Sequence, residues 1–198
     1  MNRRALLSAS ALTLTGLAGC TGAVREQVSG GIDMELATTI YHPADEPWFA
    51  DGLSAQSSNA YHTELFTQPP PDDADLFTGH YPQQEHSLDN DIRNDDYSTG
   101  FLLLFEAKMP RRQPYGISPT ILHGDLSWSA WDTASIPMRR DPRDPETLSF
   151  GDDVDEVIST TLVRYEADAI PSKAVVTVYD EETGGQITQQ TARSRFQS

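Results

Sequence analysis

From Ile32 onward apolar and polar residues alternate with a period of two. Ile32, Met34, Leu36 and Ile40 are interleaved with Asp33, Glu35, Ala37 and Thr39. Successive side chains of a strand point to opposite faces, so this segment predicts a half-buried strand. Tyr61 to Phe66 predicts a second. Gly100 to Phe105 is continuously apolar after its glycine, the pattern of a central strand buried on both faces. A shorter strand is expected over Leu126 to Trp131, a long β-branched one over Val157 to Tyr165, and another over Ala174 to Tyr179. Asp180 to Gly185 reads as a turn, and Gln186 to Thr191 returns as the second arm of a C-terminal hairpin.

The connections are rich in Pro and Asp. Pro69 to Asp73 is a stiff surface segment, and Met138 to Asp153 is a long charged connection. Gly79 to Thr99 is polar and has no clear period; Asp72 to Phe77 has room for one helical turn. Six or seven strands separated by turn signals predict an all-β domain over residues 32–198. An antiparallel β-sandwich is expected, with an immunoglobulin-like arrangement as one form of it, and a small β-barrel as the alternative. There is no internal repeat and no Asn-x-Ser/Thr sequon.

The segment before this domain has a different character. Met1-Asn2-Arg3-Arg4 leads into an uncharged, Leu- and Ala-rich run from Ala5 to Gly19. That run is shorter than the roughly 20 apolar residues a spanning helix needs, so it predicts a signal peptide over residues 1–19. Arg3 and Arg4 followed by Ala5, Leu6 and Leu7 resemble a twin-arginine export signal. Leu17-Ala18-Gly19-Cys20 resembles the lipobox of lipoproteins at every position. The resemblance implies that Cys20 receives a diacylglyceryl group and becomes the new N-terminus, and two acyl chains suffice for stable anchoring. Residues 20–31 would then be a polar, glycine-ended tether.

Charge sharpens this picture. The chain carries 14 basic and 30 acidic residues, and only Lys108 and Lys173 are lysines. Loss of residues 1–19 removes Arg3 and Arg4, two positive charges, and moves the formal charge from −16 to −18. Strong acidity with scarce lysine, together with the signal, resembles haloarchaeal twin-arginine lipoproteins. In molar salt the Debye length is about 3 Å, so such charge serves solubility rather than long-range steering. Acidic clusters are discounted as sites for that reason. A nucleic-acid partner is not expected, since no basic stripe exists.

Candidate chemistry is thin. Cys20 is the one cysteine, which excludes a disulfide framework and, once lipidated, a thiolate metal site or a blue-copper centre. His42, His62, His80, His86 and His123 match no zinc spacing; His80, Glu85 and His86 share one loop, but the gap is wrong for an inverted zincin motif. Asp89 and Asp91 begin a calcium-loop pattern that Arg93 interrupts, without the glycine or distal glutamate. Asp152, Asp153, Asp155 and Glu156 read as a solvated loop. No G-x-S-x-G, G-x-G-x-x-G, P-loop or H-E-x-x-H occurs. Trp128 and Trp131, three apart, fall on opposite faces of a strand, one towards the core and the other a platform for a sugar or partner, unless both fill the sandwich.

These features predict no catalytic, cofactor or metal site. They predict a lipoprotein held at the outer face of the cell membrane through Cys20, serving as a binding or accessory module beside a membrane or envelope partner. The alternative is a cell-surface hydrolase or metal-dependent enzyme with a loop-borne site; convergence of His80, His86 and carboxylates in one cleft would favour it.

Overall fold

The structure, a computed structural model, describes residues 31–82, 88–120, 126–151 and 153–196. The lipidation and export residues Cys20, Arg3 and Arg4 lie outside them, as do Glu85, His86 and His123. Two sheets pack face to face without closing into a barrel. The first has the order β1-β7-β3-β2, where β1 is Ile32–Pro43, β2 Tyr61–Phe66, β3 Gly100–Pro110 and β7 Glu156–Ala167. The second has the order β4-β6-β8-β9, where β4 is Tyr115–Pro119, β6 Thr133–Pro142, β8 Lys173–Asp180 and β9 Gln186–Arg193; β5, Ser127–Ala130, also pairs with β6. All pairs are antiparallel except β6 with β8. An immunoglobulin domain pairs its first strand with its second, whereas here β1 pairs with β7.

The core lies where the two inner faces meet. Phe101, Leu103, Phe105, Ala107 and Met109 of β3 face Ala134, Ile136 and Met138 of β6 and Val176 and Val178 of β8, all buried. The outer face of the first sheet is also covered. Leu102, Leu104 and Leu162 pack against Phe49, Phe66, Leu76, Leu88 and Ile92. Phe66 is the last residue of β2; the others come from the long connections and from a short helix, α1, Leu88–Asn94. β3 is therefore two-sided, as its unbroken apolar run predicts, and a third layer of loops and helix shields its outer leucines. Fully burying each such side chain contributes about 1.5–3 kcal/mol.

Several expectations are corrected. The helical turn forms at α1, where Leu88 and Ile92 at i and i+4 face the sheet and Arg93 Nε lies 2.7 Å from Asp89 Oδ1. Asp72 to Phe77 instead makes a turn at residues 72–73, closed by Ala74 N donating to Pro71 O, and then has no regular structure until Phe77 bridges to Phe49. The charged connection begins later than Met138, because β6 continues to Pro142. The alternation in β1 breaks at Glu35: Met34 pairs with Tyr165 and Leu36 with Arg164, so one residue bulges out. Met34 and Leu36 remain 50% and 61% exposed on this edge strand rather than half-buried. A bulge with Asp33 and Glu35 beside it is a recognised defence of a free edge against pairing. Trp131 lies in the turn after β5, not on a strand face, while Trp128 packs partly against the core.

Candidate functional site

Two features on the outer side of the first sheet concentrate polar chemistry. The first is a cleft of about 270 Å³ between α1 and the exposed half of β1. Glu35, Leu36 and Thr38 form one wall; Asn90, Asp91, Asn94 and Asp95 form the other; Leu102, Leu162 and Arg164 form the floor. Arg164 is turned inward. Its Nε lies 2.8 Å from Asp95 Oδ2, and Nη2 donates to Asp96 O at 3.1 Å and to Thr99 Oγ1 at 3.0 Å. Its Nη1 also donates to the carbonyl of Tyr165. Burial pushes the Asp95 carboxyl up, and the adjacent Arg164 offsets this only in part. Three carboxylates, Glu35, Asp91 and Asp95, thus line the cleft; Asp95, and Glu35 at 4.0 Å, neighbour the internally satisfied guanidinium, and Leu102 and Leu162 make the rest of the floor apolar. Such a recess favours a cation carrying an apolar group over an anion.

The second feature is a row of polar side chains crossing the sheet beneath the 44–60 connection. Thr160 and Glu106 are direct cross-strand partners, as are Glu106 and His62. Glu106 Oε2 accepts from Leu53 N at 2.8 Å, and its Oε1 lies 3.2 Å from Thr160 Oγ1. Thr160 Oγ1 is in turn 3.2 Å from His42 Nε2, while His42 Nδ1 donates to Pro43 O at 3.1 Å. His42, Thr160 and Glu106 are all buried, and the His42 ring stacks on Trp48 with centroids 4.6 Å apart.

Donor counting orients the His42 ring. Pro43 O can only accept, so Nδ1 carries the hydrogen. The Thr160 hydroxyl donates to Glu106 Oε1. Burial lowers His42 to about 4, and burial raises Glu106 against the opposing pull of the Leu53 N–H, His62 and the Thr160 hydroxyl. The row fastens the connection to the sheet. Lys108 helps from the same face, with Nζ donating to Ser57 O at 2.6 Å.

At the edge of this row the groups reach solvent. His62 Nε2 is 3.2 Å from Glu64 Oε1, and Arg195 Nη1 contacts both Glu64 oxygens at 3.0 Å. Arg195 also pairs with Asp51. Burial works against the imidazolium, but the hydrogen bond and charge of Glu64, with Glu106 behind, raise His62 overall. Burial likewise disfavours the Glu64 carboxylate, yet His62 and Arg195 hold it below its ordinary range.

The histidines that share a surface are therefore His42 and His62. His80 is exposed in the loop after Phe77, and its backbone N–H donates to Thr78 Oγ1. Sequence reading singled out neither Glu106 nor Thr160. Their signal is parity: Glu106 shares its strand face with Leu102 and Leu104, and a carboxylate at such a position needs partners. Asp89 and Asp95 of the calcium-like stretch are bonded to Arg93 and Arg164. Among the described residues no group of three or more His, Cys, Asp or Glu is placed to hold a metal ion, and no helix is long and apolar enough to cross a membrane. No protein-family model, curated protein or solved structure matches this chain.

Proposed function

We propose that the chain is an exported lipoprotein, anchored through Cys20 at the outer face of the cell membrane, whose β-sandwich serves as a binding or accessory module. The observation that carries this reading is the Leu17-Ala18-Gly19-Cys20 lipobox, set between an apolar run and a domain whose first strand opens at Ile32. Binding is favoured over catalysis by the state of the buried titratable groups. His42, Glu106 and Arg164 spend their hydrogen bonds inward, on backbone and neighbouring side chains, and keep no reactive atom aimed into the α1–β1 cleft. That cleft is the surface on which we seat a partner, and its carboxylates select a cationic group on it. The haloarchaeal composition fits a module working in high salt, where apolar contact with Leu36, Leu102 and Leu162 carries more of the affinity than charge.

The hydrolase reading has one observation on its side, the partly exposed His62 beside Glu64. A His62→Ala variant that lost a surface hydrolytic activity would favour it. Fractionation of cells carrying Cys20→Ser tests the anchor: the variant is expected in the soluble fraction after a high-salt wash, and retention in the membrane fraction would refute the lipid anchor.

A further inference from the structure

Trp131 is the most exposed large apolar residue described, at 101% of its reference area. Tryptophan is highly buried on average, and Trp128 in the same hairpin packs against the core. The hairpin is anchored at this point: Ser172 and Lys173 both donate their backbone N–H to Asp132 O, and Ser172 Oγ donates to Asp132 Oδ2 at 2.6 Å.

The strand register shows which end of the sandwich this is. Ile32, the first residue of β1, pairs with Ala167, the last of β7. Residues 168–172 then cross to the other sheet, where Lys173 opens β8 opposite Thr133, the first residue of β6. One end of that crossing is bonded to the entry of the domain, with Asp168 N donating to Gly31 O at 3.0 Å. Its other end is bonded to Asp132, next to Trp131. The crossing from Asp168 to Ser172 spans at most about 15 Å of chain, and its two ends are hydrogen-bonded to Gly31 and to Asp132 beside Trp131, which places Gly31 and Trp131 at a single pole of the molecule. Cys20 is eleven residues before Gly31, so the covalent chain between them spans at most about 40 Å.

We infer that the pole carrying Gly31 faces the bilayer and that Trp131 inserts its indole into the lipid interface as a second, non-covalent contact. The inference rests on the lipid anchor proposed above. An indole suits that place, with an apolar ring for the acyl boundary and an N–H for the headgroup region. Tethering converts a contact too weak to hold a free protein into an intramolecular one at high effective concentration. Asp33, Glu166 and Asp168 line a recess at the same pole. Their charge disfavours an anionic surface, so a zwitterionic one is the partner chosen here. The consequence is orientation: the pole carrying the 111–114 and 181–185 turns faces outward, and the α1–β1 cleft opens sideways, close above the membrane.

The test uses the chain from Cys20 to Ser198, which retains every described residue and has one thiol. It is coupled through that thiol to a maleimide phospholipid and placed in phosphatidylcholine vesicles, with or without bromine on the acyl chains, in molar KCl. Bromine quenches only indoles that reach the lipid. Emission is expected to be quenched in the intact chain and in Trp48→Phe, and quenching is expected to fall by about half or more in Trp131→Ser. Equal quenching with and without Trp131, or none while the protein co-sediments with the vesicles, would overturn the inference. So would an indole emission that shifts with protein concentration without lipid, since the pole would then meet a second copy. Because the lipid is attached chemically, these results do not depend on whether cells modify Cys20, which the fractionation of Cys20→Ser reads separately.

Discussion

Acidification tests the account of the buried row through His42. The imidazole is 1% exposed, lies on Trp48, and donates to Pro43 O. Burial lowers its pKa from 6.5 to about 4. In the unfolded chain the ring takes up a proton as the pH falls through 6.5, while the folded protein resists until about 4. His42 therefore contributes stability at pH values above 6.5 that is lost as the pH falls through about 4. At 1.36 kcal/mol per pH unit over that interval, the loss comes to about 3 kcal/mol. His42→Gln keeps a polar side chain but cannot titrate. It is expected to be less stable than the parent at pH 7.5, because the stacking on Trp48 is lost, and the gap between the two should close by about 3 kcal/mol at pH 4. Urea unfolding of both proteins in molar KCl at the two pH values measures this, since other carboxylates titrate alike in both. A gap that does not change with pH, or an NMR titration that finds the His42 ring ionising near 6.5, would refute the reasoning.

Glu106 has the opposite sign. Its raised folded pKa means that the stability it contributes is present below 4.5 and lost as the pH rises through the folded value. Glu106→Gln can still accept from Leu53 N, and its amide can donate to Thr160 Oγ1 once that hydroxyl turns away, so it should lie within about 1 kcal/mol of the parent, with its relative stability improving at higher pH. Glu106→Ala leaves both partners unpaired and should cost about 1–3 kcal/mol; urea unfolding at pH 5 and pH 8 separates the two variants, and equal losses would contradict the bonding of Glu106 to Leu53 and Thr160. Salt should act broadly. The chain carries a formal charge of −16, and Asp33 pairs directly with Glu166 across β1 and β7. Like charges in such pairs destabilise a sheet, and the Debye length shrinks from about 30 Å at 0.01 M to about 3 Å at 1 M. The melting temperature is expected to rise steeply from dilute buffer to molar KCl, and a melting temperature indifferent to KCl would contradict the halophilic reading.

Much of the sheet architecture is legible in the sequence because period-two patterning is strong where one face is buried. β2, β7, β8, β9 and the two-sided β3 follow from it directly. β6 escaped because its second half, Met138 with the Arg139-Arg140-Asp141 run, reads as the start of a charged connection. The inward residues Ala134, Ile136 and Met138 hold the period beneath them, and the charges are matched locally, with Arg140 Nη2 at 2.6 Å from Asp180 Oδ2. Pro137 is tolerated where the pairing of β5 has ended and that of β4 has not begun. β1 misled in the other direction, since a one-residue bulge at Glu35 swaps faces and no local signal marks it. α1 is too short for periodicity to declare it; only Leu88 and Ile92 betray the buried side. The candidate site is less legible still. The cleft joins residues 35–38 to residues 90–95, and the polar row joins His42, Glu106 and Thr160 from three strands. Such convergence is set by register and by the third layer, neither of which a linear pattern encodes.

The central claim concerns the N-terminus of the mature protein, and the mass of the native chain tests it most directly. Protein extracted from membranes with detergent is digested, and the peptide that begins at Cys20 is weighed intact. The account predicts cleavage between Gly19 and Cys20 and a mass increased by a diacylglyceryl-type group on the Cys20 sulfur, a modification absent when Cys20→Ser is expressed. A native chain that retains residues 1–19, or that begins elsewhere with an unmodified thiol at Cys20, would contradict it.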